Sequence, residues 1–266
     1  MHPAAYQDKV VWITGASSGI GAALAEAFAA RGAALILSAR RHTELQTVRL
    51  RCKRSERHRV VPLDLADAAS IPNVANKVLA ECGRVDVLVN NGGVTQRSLA
   101  KDTRMEVDRR IMEVNYFGAV GLTKAVLPSM LGRRCGDIVV ISSLVGHFST
   151  PLRSAYAASK HALHGFFDAL RAEVYAEGLH VMLVCPGFIR TDISLHALTA
   201  DGSPQNSMDA GQAGGLSPEE CATRILAGLD RRMDEIAVGG REKRYLLLHR
   251  FFPALFRRAM RSSRVT

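Results

Sequence analysis

A β-branched run at residues 10–13 (V-V-W-I) passes directly into T-G-A-S-S-G-I-G, and an alanine-rich stretch with apolar residues at helical spacing follows over residues 22–31. The order is strand, glycine turn, helix. Residues that tolerate positive φ let a chain reverse sharply between the two elements, and missing Cβ atoms let a pyrophosphate reach the free N–H groups and positive dipole end of the helix. Placed after the first strand of a βαβ unit, Gly15, Gly19 and Gly21, with Ser17, Ser18 and Ile20 between them, read as a dinucleotide-binding turn rather than a plain reverse turn.

The alternation continues along the chain. Residues 33–37 predict a second strand and 43–54 a second helix; 59–63 predict a third strand, and Asp67 is expected to cap a helix running to residue 82. Strands at 85–89, 137–141, 180–184 and 235–238 then alternate with helical stretches at 105–113, 118–131, 154–177 and 218–231. Apolar strands joined by helices require a parallel sheet covered on both faces, reached by right-handed crossovers. The expected architecture is α/β, a single-domain Rossmann fold over residues 1–240 with a doubly wound parallel sheet of about seven strands. One long irregular stretch, 188–216, carries Gly202, Pro204, Gly211, Gly214 and Gly215 and reads as a mobile substrate lid, while 241–266 reads as a basic amphipathic tail.

With 266 residues, 47% hydrophobic and 23% charged, the chain can bury a sizeable core and is too apolar for disorder. Its five cysteines are widely spaced and form no C-x-x-C, so neither a disulfide framework nor a metal site is expected, and a reducing, cytoplasmic setting fits. No apolar run approaches the roughly 20 residues that span a bilayer, and residues 1–9 hold no signal-peptide core. A formal charge of +10 would suggest nucleic acid if it were spread through the fold. Instead it gathers in Arg49, Arg51, Lys53, Arg54, Arg57 and Arg59, read as the solvated end of a helix, and in the tail, where eight Lys/Arg face only Glu242. The remainder is nearly neutral, and no nucleic-acid partner is expected.

Two further patterns carry chemistry. The second strand ends L-I-L-S-A-R-R, so Ser38 or Ala39 stands where an acid would bind ribose hydroxyls. Arg40 and Arg41 follow at once, and a guanidinium fork matches a 2′-phosphate, which favours NADP(H) over NAD(H); the alternative is two solvated arginines opening a helix. Tyr156 and Lys160 lie at i and i+4, on one face of the predicted 154–177 helix, and Ser143 closes the fifth strand upstream. A nearby ammonium favours phenolate, so Lys160 is expected to bring Tyr156 into range for proton transfer near neutral pH, with Ser143 hydrogen-bonding the reacting oxygen.

Together these motifs make the chain resemble the short-chain dehydrogenase/reductase family over nearly its whole length. The family's active tetrad falls on Asn115, Ser143, Tyr156 and Lys160, with Asn115 implied to hold a water in a proton relay to Lys160. Asn90-Asn91-Gly92-Gly93 resembles the family site after the fourth strand, with Gly92 in place of the usual alanine, a change expected to be tolerated. Asp64 resembles the adenine-contacting acid, and Pro186-Gly187 with Ile189 and Thr191 resembles the segment that holds the nicotinamide carboxamide. The resemblance implies strand order 3-2-1-4-5-6-7 and hydride transfer between a nicotinamide and a small-molecule carbonyl or alcohol. A homo-oligomer is expected.

The stretch from Ser142 to Glu173 and the later L-T-A-D-G-S are similar to a branch of lipid- and steroid-associated members at organelle membranes, which points to an apolar substrate. That branch usually carries an N-terminal membrane helix, and residues 1–9 provide none, so its localisation is not carried over. A non-catalytic dinucleotide-binding sensor or scaffold is the competing function. His147 and Phe148 read either as pocket lining or as packing. In the tail, apolar and aromatic residues interleave with arginines, as suits peripheral membrane contact, and Pro253 predicts two short helices; docking on protein is the alternative.

Overall fold

The computed structural model describes residues 6–262, so residues 1–5 of the expected 1–240 unit and 263–266 of the tail lie outside the described residues. Its strands are β1 (Val10–Thr14), β2 (Ala34–Ser38), β3 (Arg59–Val60), β4 (Val87–Asn90), β5 (Gly136–Ile141), β6 (Leu179–Pro186) and β7 (Glu235–Val238). All pair in parallel in one sheet, in the order β3-β2-β1-β4-β5-β6-β7. That is the order the resemblance implied. The chain reverses direction across the sheet between β1 and β4, which opens a crevice at their C-terminal ends.

The helices are α1 (Gly19–Ala30), α2 (His42–Arg51), α3 (Ile71–Cys82), α4 (Met105–Met112), α5 (Gly118–Arg133), α6 (Ser154–Val174), α7 (Ala210–Ala213), α8 (Pro218–Asp230), α9 (Arg244–Phe251) and α10 (Pro253–Ser262). Because side chains alternate along a strand, Val11 and Ile13 pack under α1, α2 and α8, while Trp12 faces the opposite core with α3, α5 and α6. Burial on both faces explains the unbroken apolar runs at residues 87–89 of β4 and 181–185 of β6. Trp12 meets its one polar need in that core by donating Nε1–H to Ser38 Oγ at 2.9 Å.

Several boundaries differ from expectation, each for a local reason. Asp67 does not cap α3: Ser70 is the N-cap and Pro72 lies in the first turn, while Asp67 Oδ1 accepts from Ser70 N at 3.3 Å in the turn ahead. Helix α2 stops at Arg51 rather than 54, and Arg54 adopts a left-handed φ of 59°. The third strand shrinks to Arg59–Val60, although Val61 N and Leu63 N still donate to Leu37 O and Ala39 O.

The 188–216 stretch, expected as a mobile lid, is well anchored: Ser194, Ala197, Asp209 and Gln212 are buried, and backbone bonds tie Leu198 to Thr95 and Leu216 to Phe188. The tail divides at Pro253 as expected. Its Phe256 is buried against Phe148, while Leu247, Phe251, Phe252 and Leu255 remain exposed. Among the described residues, no helix is long and apolar enough to cross a membrane.

Candidate active site

Two hollows open at the crevice. The first lies over the glycine turn, where Gly15 turns at φ +63° and a methyl on Gly21 would sit 2.3 Å from Gly15 O. Only hydrogen fits there. Asn91 clamps the turn from β4, donating Nδ2–H to Thr14 O and Gly15 O at 3.0 and 3.2 Å, while Thr14 Oγ1 accepts from Asn91 N and Gly92 N. Gly92 departs from the family's alanine, and Leu65 fills the vacated space: an added methyl would meet Leu65 Cδ1 at 2.5 Å.

Gly15, Ser17, Ser18, Gly19 and Ile20 line this cleft with Asp64, Asn91 and Thr191, and Arg40 and Arg41 rim it just beyond Ala39. Gly21 lies behind the turn. The first N–H groups of α1 have no partner within their own helix, so the cleft offers donors, dipole and guanidinium groups to an anionic dinucleotide. Arg41 Nη2 already reaches Ser17 Oγ at 3.3 Å. Asp64 bonds Ala66 N at 3.0 Å and lies 3.6 Å from Arg110.

The second hollow continues from the first, sharing Ile20, Asn91, Thr191 and Ile193 as a common wall. Ser143, Tyr156 and Lys160 line it, with Pro186, Gly187 and Ile189 opposite. Ser143 leaves the end of β5 in an extended conformation and donates to Pro186 O at 3.3 Å, and Tyr156 and Lys160 project from the first turns of α6. Lys160 Nζ donates to Ile141 O at 2.8 Å and lies 5.6 Å from the Tyr156 ring centroid. Burial pushes its pKa down to about 8.

Lys160 was expected to favour the Tyr156 phenolate. Burial raises the phenol above its ordinary value; a hydrogen bond with Ser143 and the cations of Arg153 and Arg97, not Lys160, pull the other way. Asn115 sits where the helix after α4 widens into a π-turn, Glu113–Phe117. Both of its amide protons are committed, to Val94 O and Ser159 Oγ at 2.9 Å each, and Oδ1 accepts from Val94 N. The side chain therefore works as a clamp on the loop after β4 and α6, outside the hollow itself.

Sequence reading missed three charged residues at this site. Asp209 of the 188–216 segment pairs with Arg97 and, at 3.3 Å, with Arg153, all three nearly inaccessible to water. Burial, then the neighbouring Arg97, lowers Arg153 to about 10. Burial also pushes Asp209 up, but the bonds and charges of Arg97, Gln205 and Arg153 outweigh it and hold its carboxyl below the usual range. No local signal marks such a group, since Arg97 and Asp209 are 112 positions apart.

Sequence reading also missed the tail's part in the site. Glu242 Oε1 accepts from Phe188 N at 3.1 Å and Gly240 N at 2.9 Å, pinning the start of the 188–216 segment, and Tyr245 and Met260 join Leu144, Val145 and Phe148 as apolar lining. Phe148 takes the pocket-lining role open to it, whereas His147 points elsewhere.

Residues 9–201 match the family described as short chain dehydrogenase. Among similar proteins, Dehydrogenase/reductase SDR family protein 7-like of Anopheles gambiae is 50% identical over 84% of this chain and 72% of its own. Dehydrogenase/reductase SDR family member 7B of Xenopus tropicalis is 45% identical over 88% of this chain and 78% of its own. A short-chain dehydrogenase from Streptomyces avermitilis superposes with a TM-score of 0.82 at 33% identity, covering 96% of each chain. The alcohol dehydrogenase of Thermococcus sibiricus, complexed with 5-hydroxy-NADP, has a TM-score of 0.76 at 27% identity over 88% and 97% of the chains. A Burkholderia phymatum enzyme in complex with NAD has 0.82 at 25% over 94% and 95%.

Proposed function

The chain belongs to the short chain dehydrogenase family, and from that premise we propose that it is an NADP(H)-dependent oxidoreductase acting on an apolar carbonyl or alcohol. The observation that carries this reading is the continuity of the two hollows: a donor-rich cleft rimmed by Arg40 and Arg41 runs into a largely apolar chamber whose polar lining includes Ser143, Tyr156, Lys160, Arg97 and Arg153. The bound cofactor supplies the hydride. Ser143 Oγ hydrogen-bonds the substrate oxygen, and Tyr156 gives that oxygen its proton. Burial raises the phenol above its ordinary value, and in its protonated form Tyr156 can donate to a carbonyl oxygen. The phenolate left behind is stabilised by the guanidinium groups of Arg153 and Arg97, and Lys160 Nζ, buried at the inner wall, holds the next proton.

Relatives of this fold are found with NADP and with NAD, so the preference rests on this chain's own residues. Arg40 and Arg41, on the rim of the cleft just after β2, support a 2′-phosphate reading, and Ser38 is engaged with Trp12. Charge-assisted contacts contribute roughly 1.5–3 kcal/mol each, so NADPH should bind at least about tenfold more tightly than NADH, with Arg41→Ala narrowing the gap. Titrations followed by energy transfer from Trp12, the only tryptophan, measure both. Equal affinities, or a gap unchanged in Arg41→Ala, overturn the cofactor assignment; a panel of ketones, retinals, steroids and acylated dihydroxyacetone phosphates that gives no turnover with either cofactor favours the sensor or scaffold.

The tail supports a peripheral membrane role beside its docking on protein. Exposed Leu247, Phe251, Phe252 and Leu255 lie among Arg250, Arg257 and Arg258, the pattern of a segment resting in a lipid interface.

A further inference from the structure

Behind Tyr156 and Lys160, three side chains from separate elements converge although nothing in their spacing predicts it. Cys185 is the penultimate residue of β6 and fully buried; His147 follows the short turn Leu144–Gly146 after Ser143; His164 lies one helical turn beyond Lys160 on α6. Cys185 Sγ is 3.5 Å from His147 Nε2 and 3.7 Å from His164 Nε2, and the two imidazole rings are 4.4 Å apart, centre to centre. The three ligand atoms lie within 4.8 Å of one another.

Those separations are informative. With bonds of about 2.3 Å to sulfur and about 2.0–2.1 Å to imidazole nitrogen, a tetrahedral zinc site places sulfur and nitrogen ligands roughly 3.5 Å apart. Glu235 on β7 approaches from the outer side: Oε1 is 3.0 Å from His147 Nε2 and Oε2 is 3.7 Å from His164 Nδ1. At His164 the carboxylate faces the far nitrogen, where it helps to orient the ring, whereas at His147 it faces the ligating nitrogen itself, as a fourth ligand of the same ion would. Ser142 Oγ, 3.0 Å from His164 Nε2, is the remaining polar neighbour, and the backbone at Gly146 closes the site, since a methyl there would lie 2.7 Å from both atoms.

We propose that Cys185 Sγ, His147 Nε2 and His164 Nε2 bind one zinc ion, with Glu235 as the nearest anion for a fourth position. On binding, the thiol S–H bond breaks, its proton passes to solvent, and sulfur and the two ring nitrogens each give a lone pair to the metal, with no change of oxidation state. Thiolate with imidazole selects zinc over magnesium or calcium. The ion would tie the loop after Ser143, the helix bearing Lys160 and the strand leading to Pro186 into one unit.

The test uses the full chain stripped with a chelator and dialysed against Zn²⁺ or Mg²⁺, with bound metal counted by mass spectrometry. Cobalt(II) serves as the optical probe. One Zn²⁺ per chain, no retained Mg²⁺, a thiolate-to-cobalt charge-transfer band and a raised melting temperature with Zn²⁺ are expected. Cys185→Ser and His147→Gln should each weaken Zn²⁺ binding more than tenfold, while Cys135→Ser, at an exposed thiol, should not. Because Cys185→Ser alters a buried position, the partly exposed His147→Gln gives the independent reading. Equal Zn²⁺ retention in His147→Gln and the unaltered chain, no charge-transfer band, or no Zn²⁺ bound at all would leave a plain hydrogen-bonded cluster and overturn the proposal. NADPH affinity, measured alongside, reports on the cleft separately.

Discussion

The two adjoining hollows are made in contrasting ways. The cleft takes much of its wall from one unbroken strand–turn–helix–strand unit between Thr14 and Arg41, and what shapes that part is backbone: positive φ, absent Cβ atoms and the N–H groups at the start of α1. The chamber beside it takes side chains from Arg97, Phe148, Arg153, Phe188, Gln212, Tyr245 and Met260, no two adjacent in sequence. A backbone-made cavity is recognisable from a short motif and intolerant of any added atom. A side-chain-made cavity can change its occupant by substitution while the fold stands, which is how one architecture serves many substrates.

The largest expected effect falls on the chamber. Asp209→Asn leaves Arg97 and Arg153 buried without their carboxylate, and breaking a buried pair typically costs about 3–5 kcal/mol, measurable by urea unfolding at neutral pH. The acid limb of stability checks the same group. The Asp209 carboxyl is held below its unfolded value, so its contribution is complete above that value, about pH 4, and is lost as pH falls through the lower folded one. Asp209→Asn should therefore flatten that limb; an unchanged limb would mean the group adds nothing to the chamber's rigidity.

Next in size is Tyr156→Phe, expected to lower kcat by roughly a hundredfold or more while leaving NADPH affinity intact, the usual scale for losing a general acid. Near-normal turnover would return the sensor reading. On the cleft side, Gly21→Ala forces a methyl against Gly15 O and Asn91 Nδ2, an overpacking that costs roughly 1–3 kcal/mol. It should reduce the rise in melting temperature given by NADPH without altering the chamber, and an unchanged rise would show the backbone wall to be softer than its contacts indicate.

How much of this was readable in advance follows the same division. The strand–turn–helix at residues 10–31 and the placing of Tyr156 and Lys160 on one helix face were legible, because period and spacing act over a few residues. Strand order came from the resemblance, since no local pattern specifies which strands pair. Asp67 misled because a capping residue type also closes ordinary turns, and Ser70 with Pro72 was the better start signal. Arg97, Asp209, Glu242 and the His147–His164–Cys185 group were invisible, since each gains its meaning only from contacts across the folded chain. The burial that raises the Tyr156 phenol was equally hidden, since no spacing reports it.

The smallest effect concerns the tail. A chain ending at Gly240 loses Tyr245 and Met260 from the chamber wall and uncovers Phe148, so KM for apolar substrates should rise several-fold more than for small ketones. The same truncation should abolish salt-sensitive sedimentation with anionic liposomes. Equal sedimentation before and after truncation would assign the exposed Phe251 and Phe252 to protein contacts alone.

The bond from Trp12 to Ser38 has an evolutionary consequence. Ser38 is 1% exposed and its hydroxyl is occupied by the indole, so a carboxylate there would have to be accepted inside the core beside an aromatic ring. Ala39, half-buried and facing the cleft, carries no such obligation. A carboxylate for ribose hydroxyls would therefore be accommodated more readily at position 39 than at position 38, whose hydroxyl the buried indole occupies.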